Sequence, residues 1–427
     1  MASIDSWAFR RSRVAATAVS FAQGPELTAP KRVVNFATVT LEAALPFAGR
    51  TVISLEPGHF DVLRRTVALA FRLAHAPAYQ ALVDANAPPH LRFAPGNFGV
   101  FMGYDFHVTP AGPRLIEINT NAGGALVNGL HTAALCDPKA LACLCADLLP
   151  VETVEQRLVA QFVAEFEAAR GAGARPRTLA IADERPHEQF LYPEFELLRA
   201  LFERNGFEAR ICDTGELVRD AGGRLALERS PIDLVYLRDT DFTLEAPRSA
   251  ALRGAYGDRA VVVTPSPREY FLLADKRRLG IFSSRAALGS LGVAAADAEL
   301  LASVVPETRL LAELAPEQVW RERRSWVFKP ATAFGSRAVY RGDKISRKRF
   351  EEVLRAPGDL VQRHVEPGEI RVETSDGPRA MKFDVRAYAY RGEILLLGAR
   401  VYQGQVTNLR SPGGGFSAIC VARRADG

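Results

Sequence analysis

A mixed α/β protein of several units is expected from this sequence, on three observations. Between residues 177 and 240, strand-like runs alternate with a helical one: RTLAIAD, FELLRALFERNGF, EARICDT and IDLVYLRDT. That order suits a parallel sheet with crossover helices. Two further pairs of strand-like runs meet at turn residues, GVFMGYDFHV with RLIEIN across TPAG, and MKFDVRAYAY with EILLLGARVY across Arg391–Gly392. Such pairs pattern as β-hairpins. The chain has 427 residues, enough for two or three domains.

Residues 1–95 read as a mixed segment of short helices and loops. Helical apolar spacing covers 63–86, and the prolines at 88 and 89 close it. Residues 96–172 hold the first hairpin, a glycine-containing loop after Asn119, and helical periodicity over 138–171 that runs out in GAGARP. Residues 173–260 form the small parallel α/β unit, its helix stopping at Gly206. Residues 261–427 form a third unit that opens with the strand AVVVTP and a helix in KRRLGIFSSRAALGSLG. The strand WVFKP then enters a Gly/Ser loop and AVYRGDK returns from it. A helix in SRKRFEEVLRA, the strand DLVQRHV, the long hairpin and the loop TNLRSPGGG complete the unit.

Composition removes several classes. Hydrophobic residues at 48% and charged residues at 24% exclude a disordered or collagen-like chain. The five cysteines, at 136, 143, 145, 212 and 420, are odd in number and scattered, which suits reduced thiols in the cytoplasm. No apolar run approaches the roughly 18 residues of a membrane span. The segment RRSRVAATAVSFAQG is too short in its apolar part for an export signal. The net charge of +5 is spread along the chain with no basic block, so nucleic acid is not an expected partner. A small anionic substrate suits the mildly basic surface.

Asp105, Glu117 and Asn119 are the first chemistry-bearing group. Glu117 and Asn119 lie two apart on one strand and share a face, with Asp105 on the partner strand. Two carboxylates and an amide oxygen form a hard-oxygen set suited to Mg²⁺; solvated hairpin polarity is the alternative. Substitutions there are expected to change stability only modestly. Lysine is rare, with seven against 47 arginines, so Lys329 at the end of the apolar strand WVFKP stands out. Beside ATAFGS, which contains Gly335 and Ser336, it suits phosphate binding, the alternative being a snorkelling surface lysine. Lys276 follows LLAD at the start of a helix and by itself reads as solvated. Asp384, Arg386, Arg400, Asn408 and Arg410 adjoin the glycines at 413–415. They suit a site where negative charge builds up on phosphoryl oxygens, and cross-strand salt bridging explains Asp384 and Arg386 equally well.

These motifs together resemble the ATP-grasp ligases. LIEINTNAGG resembles their metal strand, WVFKPATAFGS their phosphate-binding lysine strand and loop, and DLVQRHVEPGE the strand beside the adenine. FDVRAYAYRGEILLLGARV and TNLRSPGGG resemble their D-x-R hairpin and closing segment. Here the metal strand precedes the lysine strand, the permuted order of the eukaryotic-type glutathione synthetases and glutathionylspermidine synthetases. The resemblance covers about 97–130 and 230–427. It implies a permuted ATP-grasp fold with an added small parallel α/β domain, and ATP and Mg²⁺ as cofactors. The implied reaction joins a small-molecule acid to an amine through an acyl phosphate. In it Asp105, Glu117 and Asn119 hold metal, and Lys276, Lys329, Gly335, Ser336, Gln362, Arg363 and Val365 hold nucleotide. Arg386, Asn408 and Arg410 hold the transferred group. A homodimer is an open option. Two departures stand out: ATAFGS has no acid where the relatives carry an extra metal ligand, and Gly103 replaces an activating arginine of the polyamine-conjugating relatives. They imply an acceptor site walled by residues 1–95 and 177–240, and a substrate other than the γ-glutamylcysteine–glycine pair. A pseudoenzyme or a small-molecule kinase of the same fold is the alternative.

Overall fold

The computed structural model describes residues 48–85, 87–135, 151–331, 339–356, 358–374, 377–404, 407, 409 and 412–421. Its strands in chain order begin with β1 (Ala48–Leu55), β2 (Met102–Thr109) and β3 (Gly112–Asn119). Next come β4 (Thr178–Asp183) and β5 (Glu208–Asp213), then the short β6 (Val218–Arg219), β7 (Leu225–Leu227) and β8 (Ser230–Pro231). β9 (Leu234–Leu237), β10 (Val262–Thr264), β11 (Thr308–Leu310), β12 (Trp326–Lys329), β13 (Tyr340–Arg341) and β14 (Leu360–Arg363) follow. The last four are β15 (Gly368–Thr374), β16 (Gly377–Tyr390), β17 (Glu393–Tyr402) and β18 (Gly415–Val421).

A seven-stranded sheet in the order β1-β18-β17-β16-β2-β3, with β15 also on β16, forms the main body. Alternation of side chains sorts its two faces. Tyr104, Phe106, Val385, Ala387, Ala399 and Val401 are buried on one face, beneath the helices Pro57–Ala74 and Ala295–Val304. The intervening Asp105, His107, Asp384, Arg386 and Arg400 look the other way, into a cavity. A bulge at the Asp105–Phe106 step of the β2–β3 ladder turns both Ile116 and Glu117 to that cavity, while Leu115 and Ile118 stay in the core.

The small parallel α/β unit is present, with strand order β10-β9-β4-β5. Its boundary differs from the sequence expectation. β10, read as the opening of the third unit, pairs in parallel with β9 and completes the small sheet. A four-stranded antiparallel sheet β11-β14-β12-β13 forms a separate lobe around Trp326, Phe328 and Phe350. The expected helix over 63–86 is two helices, Pro57–Ala74 and Pro77–Asp84. Pro77 has no N–H to continue the first and is pre-set to start the second. KRRLGIFSSRAALGSLG also folds as two helices, Arg278–Phe282 and Arg285–Ser290, the second capped by Ser284. Both hairpin turns lie where expected, with Arg391 and Gly392 at φ 50° and 80°, the left-handed pair a tight two-residue turn needs.

Aromatic packing joins the small unit to the main body. Phe162, on the helix Val151–Arg170, packs edge-to-face on Phe101, Phe202 and Tyr236 with centroids 5.5, 4.7 and 5.1 Å away. Glu194, on the helix Tyr192–Arg204, accepts bonds from the backbone N–H groups of Gly124 and Leu126 at 2.8 and 3.1 Å, capping the helix Ala125–Leu135. Phe162→Ala is expected to cost roughly 3–5 kcal/mol, because it opens a void shared by both units. Urea denaturation should show the loss as an earlier midpoint; a midpoint unchanged from wild type would place the coupling elsewhere.

Candidate active site

β2, β16 and β17 bring four charges together in the middle of the main sheet. Arg386 is paired with Asp105 across the ladder and donates to both its oxygens, Nε to Oδ1 at 2.7 Å and Nη2 to Oδ2 at 2.8 Å. Arg400 donates to Asp105 Oδ2 at 2.8 Å and to Asp384 Oδ1 at 2.7 Å. Thr407 donates to Asp384 Oδ2 at 2.8 Å, and the Asn119 amide donates to Asp105 Oδ2 at 3.0 Å. Burial pushes the Asp105 carboxyl up, but the two guanidiniums outweigh it and hold it at about 2. Gly103 is explained by the same network. A Cβ there would lie 2.6 Å from Ala122 Cβ and 3.3 Å from Arg386 Nε, so a side chain at 103 would clash with Ala122 and crowd the arginine.

A lysine cluster adjoins it. Lys329, at the end of β12, donates to the Ile116 carbonyl at 3.0 Å and to Gln362 Oε1 at 2.7 Å. Its third N–H is left for the cavity it lines. Burial lowers its pKa to about 8 despite Glu117 nearby. Lys276 follows the π-helical turn Tyr270–Ala274, and its ammonium is 3.1 Å from Glu117 Oε1. Burial raises the Glu117 pKa and the two lysines lower it, the net direction being down. Gln362, Arg363, His364 and Val365 line the same cavity, as do Asp384 and Tyr402.

The cavity, about 450 Å³, extends from this cluster to the small α/β unit. Asp183 at the end of β4 and Arg238 just after β9 line that far end with Gln189, Leu191, Phe195 and Phe242. Arg238 donates to the Asn121 carbonyl at 2.5 Å and lies 5.4 Å from the Phe195 ring centroid. Burial pushes the Asp183 carboxyl up to about 6 against the pull of Arg238. Residues between 183 and 242 therefore line part of this cavity. Of the expected wall over 1–95, the described residues contribute nothing to this cavity; β1 is an edge strand of the main sheet, and the helix Pro57–Ala74 packs on the sheet's apolar face.

Asp105, Glu117, Asn119, Lys276, Lys329, Gln362, Arg363, Val365 and Arg386 all line this one cavity. Gly335, Ser336, Asn408 and Arg410 lie outside the described residues. Asp384 and Arg400, grouped with Arg386 in the sequence, line the cavity too, whereas His107, Asp183 and Arg238 were not among the sequence-derived site residues. The signal for the last two was present: each stands at the carboxyl end of a parallel strand, where open α/β sheets place ligands.

The Mg²⁺ set needs revision. Asp105 spends its oxygens on two arginines and an amide, so it reads as an anchor behind the site. Glu117 meets Lys276 at Oε1, and Asn119 keeps its Oδ1 once its N–H is given to Asp105. One carboxylate and one amide oxygen fit Mg²⁺, which takes most of its octahedron from water and phosphate. Among the described residues no three His, Cys, Asp or Glu side chains are grouped to hold a metal by themselves.

The stability expectation changes with it. Asp105→Asn leaves two buried guanidiniums without their shared carboxylate, and a loss of roughly 3–5 kcal/mol is expected, seen in the urea midpoint. A loss below 1 kcal/mol would return Asp105 to a solvent-like role. The sign with pH follows from the depressed carboxyl. Its contribution is full above the ordinary 3.8 and fades as pH falls through about 2. Wild type should therefore lose more stability between pH 4 and 2 than Asp105→Asn, as acid titration of the folded fraction would reveal.

No protein-family model matches the chain, and no curated protein matches its sequence. Solved structures do match its fold. A glutathione synthetase-like effector from Globodera pallida, in apo form, aligns with a TM-score of 0.53 at 11% identity, over 87% of this chain and 89% of that one. A protein provisionally described as a gamma-glutamylcysteine synthetase, from Methylobacillus flagellatus KT, gives 0.47 at 13% identity, over 81% and 85%. The ATP-grasp ligase PsnB, in complex with a minimal precursor, Mg and ADP, gives 0.27 at 17% identity, over 56% and 87%. The first likeness spans nearly nine-tenths of both chains, and the chain shares the α/β fold of that glutathione synthetase-like protein.

Proposed function

We propose that the protein is an ATP-dependent ligase that joins a carboxylic acid to an amine through an acyl phosphate. One observation carries the reading. Lys276, Lys329, Arg386 and Arg400 converge with Glu117 and Asn119 on a single cavity, and the strand Gln362–Val365 walls one side of it. Four cations around two hard-oxygen donors suit a bound triphosphate and the charge that develops as its terminal group moves.

The acid's carboxylate attacks the γ-phosphorus, and the bond to the ADP oxygen breaks. The amine nitrogen then attacks the acyl carbon, phosphate leaves, and the nitrogen gives up a proton; amide, ADP and phosphate result. Lys329 and Lys276 bind the phosphates. Arg386 and Arg400, oriented by Asp105 and Asp384, hold the transferred group in line. Gln362 to Val365 flank the base. Mg²⁺ held by Glu117 and Asn119 supplies charge neutralisation on the phosphate oxygens. Asn408 and Arg410, outside the described residues, complete the proposal as further groups that hold the transferred phosphoryl group, and Gly335 and Ser336 as further nucleotide contacts. The far end, between Asp183, Arg238 and Phe242, receives the acid and the amine. The permuted order of metal and lysine strands belongs to the same proposal.

The deciding experiment is an ADP-release screen over pairs of amino acids, γ-glutamyl peptides and polyamines, with mass spectrometry of products. An amide formed only when both partners are present supports the ligase. A phosphorylated acid that persists without amine would make it a kinase, and no turnover with any pair would favour a binding protein.

Two predictions follow the lysine. Lys329→Ala should weaken ATP at least about tenfold, about 1.4 kcal/mol, and adenosine far less, by calorimetry; equal losses would make Lys329 structural. A phosphate beside the ammonium favours its charged form. Since the free protein holds Lys329 at about 8, ATP binding at pH 8.5 should take up a proton, and binding at pH 6.5 should not. Binding heats in buffers of different ionisation enthalpy measure this, and equal uptake at both values would count against the assignment.

A further inference from the structure

His107 belongs to none of the groups described so far, yet it lines the same cavity. It lies two residues along β2 from Asp105 and on the same face, about 7 Å further on. Its Nδ1 is 2.9 Å from the carbonyl oxygen of Val365, the residue that ends the base-side wall. A carbonyl can only accept, so Nδ1 carries the proton. Burial holds the ring's pKa below its ordinary value, with Lys329 and Arg400 adding to the effect against Asp384. The neutral ring then presents a bare lone pair at Nε2, which has no partner among the described residues.

The position of that lone pair is the informative point. On one side of the ring is the Asp105, Arg386 and Lys329 cluster, where phosphates would bind. On the other is the strand where a base would bind. A sugar occupies the space between a base and its phosphates, and a sugar offers hydroxyl donors. An acceptor held in one tautomer by a backbone carbonyl is well suited to read them.

We propose that His107 is a specificity-determining residue for the nucleotide, its Nε2 accepting a hydrogen bond from a ribose hydroxyl. The inference rests on the nucleotide-binding reading above and adds the group that distinguishes ribose from deoxyribose. The same bond to Val365 links β2 of the main sheet to the end of β14, so the sugar contact forms where the two lobes meet.

Calorimetry with ATP, 2′-deoxy-ATP and 3′-deoxy-ATP tests the inference on the full chain. Wild type should bind ATP about threefold to tenfold more tightly than one of the deoxy forms, the range of a single neutral hydrogen bond. His107→Phe should bind ATP as weakly as that deoxy form and no longer separate the two. His107→Gln, which keeps an acceptor oxygen, should retain part of the preference. Equal binding of all three nucleotides by wild type would overturn the proposal without recourse to any variant, whether or not His107→Phe folds. A preference undiminished in His107→Phe would overturn it too, while leaving nucleotide binding in place. Failure of wild type to bind ATP at all would instead overturn the nucleotide reading, and this inference with it.

Discussion

Two arginines share one buried carboxylate at the centre of the main sheet, and most of the site's geometry follows from that sharing. A buried guanidinium is tolerable only when its donors are matched, and Asp105 and Asp384 match them across three adjacent strands. The match exists at one register. Sliding β16 by one residue past β2 would turn Arg386 into the apolar layer beneath the helices. The charge network thus fixes the alignment of the strands that carry it. Glu117 and Asn119, one strand further out, take their positions from the same alignment.

The sheet's two faces divide the labour. Helices cover the apolar face and leave no cavity-lining residue there. Hydrogen bonds tie the β11–β14 lobe to the polar face, Lys329 donating to the Ile116 carbonyl and His107 to the Val365 carbonyl, at 3.0 and 2.9 Å. The first has a charged donor and is worth about 1.5–3 kcal/mol, and the second about 1 kcal/mol net. The small α/β unit is attached far more firmly, by the Phe162 cluster and the Glu194 cap.

Much of this was legible in the sequence because it is local. TPAG and Arg391–Gly392 announce their hairpins. The two-residue spacing of Glu117 and Asn119 puts them on one face, and the rarity of lysine drew attention to Lys329. What escaped the sequence is what depends on partners distant in the chain. Nothing around Asp105 shows that its oxygens are taken by residues 281 and 295 positions away, so it read as an open metal ligand. AVVVTP gives no sign of which sheet it joins; pairing with β9 decides that. The single helix expected over 63–86 failed for a local reason, since Pro77 outweighs a continuous apolar stripe.

The pairing of β1 with β18 has a consequence for the making of the protein. These strands run parallel, Ile53 beside Ile419 and Leu55 beside Val421, with almost the whole described chain between them. While the polypeptide is being synthesised, β1 is made well before β18, the strand it pairs with. An edge strand kept waiting is an invitation to mispairing, and closing so long a loop adds an entropic cost that grows only slowly with length. Until β18 is made the cell therefore meets this chain as an unfinished sheet with β1 unclaimed, and the step that claims β1 adds an outermost strand of the main sheet.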